Sequence, residues 1–168
     1  MNRRLFLHAA STLILGALAA PALARAALLP ADPVFGRTFD DLQGVGQALS
    51  AYVGRPVVFN FWASWCAPCV REMPLLEALH HQHPDLALVG LAVDTRANVV
   101  RFLDKVQVSY PVLLTGTQGI PLMRELGNKS GGLPFTAFYD RDGHLVSAAM
   151  GELKHDDLQA RIDKILEA

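Results

Sequence analysis

The chain has 168 residues, 15 lysines and arginines against 16 aspartates and glutamates, 51% hydrophobic residues and only two cysteines. A near-neutral charge without basic clusters argues against nucleic acid as a partner, and two cysteines cannot form the dense framework of a disulfide-stapled scaffold. The length suits one domain with its own core behind a short leader.

The leader comes first. Arg3 and Arg4 precede a run that is uncharged, His8 apart, as far as Ala24, and residues 13–18 are its most apolar part. Ala22-Leu23-Ala24 and Ala24-Arg25-Ala26 both fit the small-x-small cleavage pattern, so residues 1–26 read as a secretory signal peptide. Arg3-Arg4-Leu5-Phe6-Leu7 is similar to a twin-arginine export signal, with Asn2 in place of the usual Ser or Thr. An uncleaved anchor is the competing reading: the run is about long enough to span a bilayer, but His8, Ser11, Thr12 and Pro21 weaken it. No cysteine lies near the cleavage site, which speaks against a lipoprotein anchor. Cleavage after residue 26 removes Arg3, Arg4 and Arg25 and leaves 12 basic against 16 acidic residues, a charge near −4. Residues 27–34 then form a linker, and 35–168 the folded domain.

Phe35-Gly36-Arg37-Thr38-Phe39 predicts an edge strand. Residues 42–52 contain Gly44 and Gly46, then Val45, Leu49 and Tyr52 at a spacing that predicts a short helix. Gly54-Arg55-Pro56 is a turn. Val57-Val58-Phe59-Asn60-Phe61-Trp62 reads as a buried strand, and Ala63-Ser64 as the turn out of it.

That strand delivers the chain to Trp65-Cys66-Ala67-Pro68-Cys69, which holds both cysteines. A bridge closing so short a loop removes little unfolded-state entropy and adds little stability. The spacing suits reversible chemistry instead: one thiol attacks a substrate disulfide, and the other reaches the mixed disulfide and releases it. Pro68 is tolerated in the first turn of a helix. Cys66 then lies at a helix N-terminus, where free N–H groups and the macrodipole favour a thiolate. The bland alternatives are a zinc half-site or two inert core cysteines, but zinc normally needs four ligands, and no second C-x-x-C or C-x-x-H exists.

Phe61-Trp62-Ala63-Ser64-Trp65-Cys66-Ala67-Pro68-Cys69, followed by Arg71-Glu72-Met73-Pro74, resembles the thioredoxin superfamily, and within it the TlpA/ResA-type extracytoplasmic thiol–disulfide oxidoreductases. The resemblance runs from about Phe35 to the C-terminus. It implies a thioredoxin-like α/β fold, a central mixed β-sheet with helices on both faces, and an N-terminal hairpin added to that core. It also implies an acid three residues after the second cysteine that tunes the thiols, here Glu72. Glu72 shares a helix face with Cys69; the bland reading is an ordinary acid near a helix N-terminus. Thioredoxin itself carries a buried Asp six residues before its first cysteine, where this chain has Asn60, which takes no proton.

Residues 66–83 predict one helix, with Val70, Met73, Leu76 and Leu79 inward and a kink at Pro74. The apolar run 86–93 predicts a strand buried on both faces of a parallel sheet. Asp94 turns the chain and caps the next helix, expected over 97–105 with Val100 and Leu103 inward. Tyr110-Pro111-Val112-Leu113-Leu114 is similar to a segment of the same branch, and 119–126 predicts a short helix. Residues 135–139 and 144–150 predict two strands joined as a hairpin, with Gly143 supplying the positive φ. The last helix is expected over 154–167, with Leu158, Ile162, Ile165 and Leu166 inward.

Gly132-Leu133-Pro134-Phe135-Thr136 is a second family signature. The resemblance implies that Pro134 is cis and packs against the cysteines, and that the Leu133 backbone binds an extended substrate peptide. Gly131 and Gly132 are expected to let this loop approach the thiols. Trp65 is expected to border the substrate surface, and Trp62 to lie in the core. His80, His81 and His83 could hold a metal; the bland reading, solvated imidazoles at a helix C-terminus, is preferred, and no metal or cofactor is expected.

These residues imply an extracytoplasmic thiol–disulfide oxidoreductase, with Cys66 the exposed nucleophile, Cys69 the shielded resolving thiol and Glu72 a catalytic acid–base group. The resemblance implies protein disulfides as substrates, in apocytochrome c or copper-site proteins, and a membrane electron donor of the DsbD/CcdA type. One alternative is a DsbA-like oxidase, but that class usually has a histidine between its cysteines and Ala67-Pro68 brings no charge. Another is a non-enzymatic copper chaperone, though such relatives tend to space their cysteines one residue further apart.

Overall fold

The computed structural model describes residues 32–168. The leader, its cleavage sites and residues 27–31 of the linker lie outside the described residues. Among the described residues no helix is long and apolar enough to cross a membrane.

The described chain begins with a 3-10 turn, Pro33–Gly36, capped by the Asp32 side chain. Val34 in that turn is already buried, so packing starts just before the expected domain boundary. The strand expected over 35–39 is displaced to β1, Thr38–Asp41. The helix expected over 42–52 is absent. Asp41 Oδ1 accepts the N–H groups of both Gln43 and Val45 at 2.9 Å, and Gly44 adopts φ 87°. A side-chain turn followed by a left-handed glycine reverses the chain before a helix can start. The product is β2, Gly46–Ala48, antiparallel to β1; only Leu49–Tyr52 coils, as a second 3-10 turn. The N-terminal hairpin implied by the resemblance is therefore present.

The remaining elements follow the expected order: β3 (Val57–Trp62), α1 (Ala67–Gln82), β4 (Ala87–Ala92), α2 (Arg96–Leu103), β5 (Val112–Leu114), α3 (Gly119–Glu125), β6 (Phe135–Tyr139), β7 (Leu145–Met150) and α4 (His155–Leu166). The sheet order is β2-β1-β5-β4-β3-β6-β7. The parallel run β3, β4, β5 lies at its centre, and β6 is antiparallel to β3. β3 and β4 are buried at every position, as near-continuous apolar runs in a covered parallel sheet must be.

Strand alternation divides the core. Val58 and Trp62 of β3 and Phe138 of β6 face α1, α2 and α4. Val57, Phe59 and Phe61 of β3, with Phe135, Ala137 and Tyr139 of β6, face α3 and the N-terminal turns. Helices thus cover both faces, as the resemblance implies. The same alternation places Asn60 and Thr136, paired across β3 and β6, on the α1 side.

α2 corrects one expectation. Thr95, not Asp94, caps it, by accepting the Asn98 N–H. That phase turns Val99, Phe102 and Leu103 toward the core and leaves Val100 40% exposed. α1 continues through Pro74, which sits on its exposed side.

Candidate active site

β3 and β4 end side by side, and the C-x-x-C turn is built on their ends. Val93 N–H donates to the Trp62 carbonyl at 2.8 Å, and Cys66 N–H to the Ala63 carbonyl at 3.1 Å. Asp94, two residues beyond β4, accepts both the backbone N–H and the hydroxyl of Ser64, at 3.0 and 2.6 Å. The strand that carries the thiols is therefore tied to its parallel neighbour just before the cysteines.

Cys66 caps α1. Its Sγ accepts the Cys69 N–H at 3.3 Å, and Pro68 lies in the first turn, where no intrahelical donor is lost. Cys66 and Cys69 form a disulfide, S–S 2.04 Å. The expected ranking of exposure holds, with Cys66 at 5% and Cys69 at 1%. The expectation that Cys66 is exposed does not: in this oxidised form it is buried. Its sulfur is bonded to a core residue and both cysteines belong to the cluster on the α1 face. Trp65, immediately before it, is 69% exposed.

Glu72 is one turn beyond Cys69 on the buried side of α1, and is 2% exposed. A solvated acid near a helix terminus does not describe it. Its Oε1 accepts the Leu153 N–H at 2.9 Å, and its Oε2 accepts from Asn60 Nδ2 at 3.3 Å. Asn60 Nδ2 also donates to Thr136 Oγ1 at 3.0 Å. Burial pushes the Glu72 carboxyl up to about 7; the Leu153 N–H and the Asn60 amide oppose that rise, and the charge of Glu152 adds to it. The Asn60 position, empty of a titrating group, is thus where the buried acid is anchored.

Pro134 immediately precedes β6, buried, after a cis peptide bond from the half-buried Leu133. Its carbonyl accepts the Gly151 N–H at 2.9 Å. Asn128, fully buried, organises the loop that leads to it: Nδ2 donates to the Gly132 carbonyl at 2.8 Å, and Oδ1 accepts from Ser130 Oγ and Gly131 N–H. The two glycines do not open the loop to the thiols. Gly131 has φ 69°, and a Cβ there would meet Ile120 of α3 at 3.0 Å; at Gly132 it would meet Ser130.

The three histidines take separate partners, although the His80 and His81 rings lie 5.7 Å apart. His81 pairs with Glu77, His83 contacts Gln159, and His80 packs edge-on against Tyr110. Among the described residues no three potential ligands gather into a metal site. Trp62 is fully buried, 5.4 Å from the Phe102 ring.

Thr136, Leu153, Asp94 and Asn128 are site residues that the sequence pattern does not mark as such. A signal existed for Thr136 and Asn60: each is the polar residue in an otherwise apolar strand. Asp94 reads as a helix cap in sequence; in the structure its Oδ1 accepts from Thr95 N–H and Asn98 Nδ2 while its Oδ2 holds Ser64. The Leu153 N–H carries no sequence signal, because any residue offers one.

A family model described as the AhpC/TSA family matches residues 31–148. The thiol-disulfide oxidoreductase ResA of Bacillus cereus is 32% identical over 130 residues, covering 74% of this chain and 72% of that protein. A thioredoxin-related protein from Neisseria meningitidis serogroup B superposes with a TM-score of 0.69 at 28% identity, over 77% of this chain and 99% of its own. A secreted Mycobacterium tuberculosis disulfide oxidoreductase, described as homologous to Escherichia coli DsbE, has the same fold, with a TM-score of 0.68 at 23% identity over 80% of this chain and 99% of its own.

Proposed function

Because the chain belongs to the AhpC/TSA family and is a thioredoxin-like thiol–disulfide oxidoreductase similar to ResA, we propose that it works as an extracytoplasmic reductant of protein disulfides, through Cys66 and Cys69. The observation that carries this direction is the buried carboxylate one turn from Cys69, with no cationic residue between the cysteines. A strong oxidant owes its potential to a stabilised thiolate in the reduced form. A carboxylate in a buried site opposes that thiolate, and so favours giving electrons away.

The reaction begins from the dithiol. Cys66 thiolate attacks one sulfur of the partner's disulfide; a Cys66–partner disulfide forms and the partner's other sulfur leaves as a thiolate. Cys69 gives its proton to Glu72, directly or through a water, and attacks Cys66 Sγ. The mixed disulfide breaks, the partner leaves as its second thiolate, and Cys66–Cys69 is closed as observed. A carboxyl titrating near 7 is matched to taking and releasing a proton at neutral pH. Two electrons have passed to the partner, so a thiol donor of the membrane DsbD/CcdA type must reopen the pair.

Trp65 is the exposed apolar edge of the substrate surface, and the Leu133 backbone beside cis-Pro134 binds the extended partner chain. Apocytochrome c or copper-site proteins are the partners that the ResA likeness favours. The leader expected at residues 1–26 supports the extracytoplasmic address, and the folded domain that follows it packs from Val34 onward.

The test is trapping. Cys69→Ser should accumulate partner proteins on Cys66 as adducts that a reducing agent dissolves, and Cys66→Ser should trap none. Equal trapping by the two variants would refute the assignment of roles.

A further inference from the structure

Two consecutive residues of α1 meet two consecutive residues of the loop between β7 and α4. On the outside, Arg71 donates from Nε and Nη2 to the Glu152 carboxylate, Nε at 3.0 Å. On the inside, the Glu72 carboxylate accepts the Leu153 N–H at 2.9 Å. The loop starts at Gly151, with φ 85°, whose N–H holds the Pro134 carbonyl. It ends at Lys154, which precedes α4 and gives it no side-chain cap. Gly151–Lys154 is therefore fastened to the cis-proline strand at its first residue and to α1 at its second and third.

The Arg71 and Glu152 side chains are 60% and 36% exposed, and an exposed pair adds little to stability. Its geometry has another use. A two-pronged guanidinium–carboxylate contact fixes orientation, and on both segments this one lies one residue from the hydrogen bond between Glu72 and Leu153.

We propose that Arg71 and Glu152 are positioning residues for Glu72: their pair holds the Gly151–Lys154 loop on α1, keeps the Leu153 N–H on the buried carboxylate, and sets two balanced charges beside it. The proposal rests on Glu72 being the proton acceptor of the reaction above. The groups around Glu72 are few. Asn60 of β3 and Thr136 of β6 are neutral, and Cys69 lies one turn back on α1. Tyr110, ahead of β5, feels the Glu72 charge. Glu152, paired with Arg71, is the charge that bears on Glu72. Of the influences on Glu72, burial acts most strongly, the Leu153 N–H and Asn60 oppose it, and Glu152 reinforces it.

Glutamine at either position can still hydrogen-bond the remaining partner and keep the loop docked, so the two variants differ in charge alone and should act in opposite directions. In Glu152→Gln a negative charge leaves, and the Glu72 titration midpoint should fall by about half a unit, the size expected for one charge across a partly solvated boundary. In Arg71→Gln the counter-charge leaves, and the midpoint should rise by about as much. The double variant should lie between. Carboxylate carbon NMR on the oxidised full chain reads this midpoint, with the Glu72 signal assigned by its loss in Glu72→Gln. A purely structural strap gives a different result: either single variant loosens the loop, admits water and lowers the midpoint. Movement of both singles in one direction, or of neither, overturns the proposal. The pH profile of mixed-disulfide release is measured on the same variants. Opposed midpoints with an unmoved release profile would keep Arg71 and Glu152 as positioning residues and remove Glu72 as the proton acceptor.

Discussion

Glu72→Gln separates charge from shape at the one buried acid of the site. The folded carboxyl titrates at about 7, against an ordinary value of 4.5, chiefly because it is buried. Between those values the folded chain holds a proton that the unfolded chain has lost. Stability from this group is fully present below pH 4.5 and is lost as pH rises through 7. A difference of this size corresponds to about 3 kcal/mol, with a slope that approaches 1.4 kcal/mol per pH unit inside the window. Glutamine keeps the acceptor for the Leu153 N–H, and Asn60 can turn its amide to meet the new donor. Denaturant unfolding of the oxidised protein at pH 4.5, 6, 7 and 8 should therefore show the variant gaining on the wild type by about 3 kcal/mol across the series. The variant should also release mixed disulfides about a hundredfold more slowly at neutral pH, the lower range for loss of a general base, and alkylation of its Cys66 should shift to lower pH. A stability difference that stays constant from pH 4.5 to 8 would refute the reasoning, since it would mean that Glu72 carries no displaced titration.

Val99→Ala should destabilise the fold by about 2 kcal/mol by removing a fully buried side chain, while Val100→Ala should change it by about 0.5 kcal/mol or less; denaturant midpoints of the two variants check the phase of α2. Asn128→Ala leaves the Gly132 carbonyl and the Gly131 N–H without their side-chain partner, and should cost about 2 kcal/mol and raise KM for disulfide substrates more than it lowers kcat. N-terminal sequencing of the exported protein should begin after Ala24 or Ala26, whereas an intact Met1 on membrane-bound protein would show an anchor.

Much of this molecule is legible in the residue pattern because its centre obeys simple periodicities. The runs 57–62 and 86–93 read as buried strands and Pro68 suits a first helical turn, and the structure has β3, β4 and α1 there. The failures lie where local chemistry competes with periodicity. Val45, Leu49 and Tyr52 have helical spacing, but two hydrogen bonds to the Asp41 side chain close a turn first. Val100 and Leu103 fit an inward stripe as well as Val99, Phe102 and Leu103 do; the cap at Thr95 sets which stripe is buried. In the site, Cys66, Cys69 and Glu72 are read from spacing and likeness, yet spacing does not reveal that Glu72 is enclosed. That enclosure needs Asn60 and Thr136 in register on two strands and a backbone N–H from a loop 81 residues away.

The central claim is that this pair gives electrons to protein disulfides, and the reduction potential of Cys66–Cys69 tests it most directly. Equilibration of the full chain against glutathione or dithiothreitol buffers, read by thiol alkylation, should place the couple near about −270 mV, the potential of thioredoxin. A value near about −120 mV, that of the strong oxidant DsbA, would contradict the account and make the chain a disulfide donor.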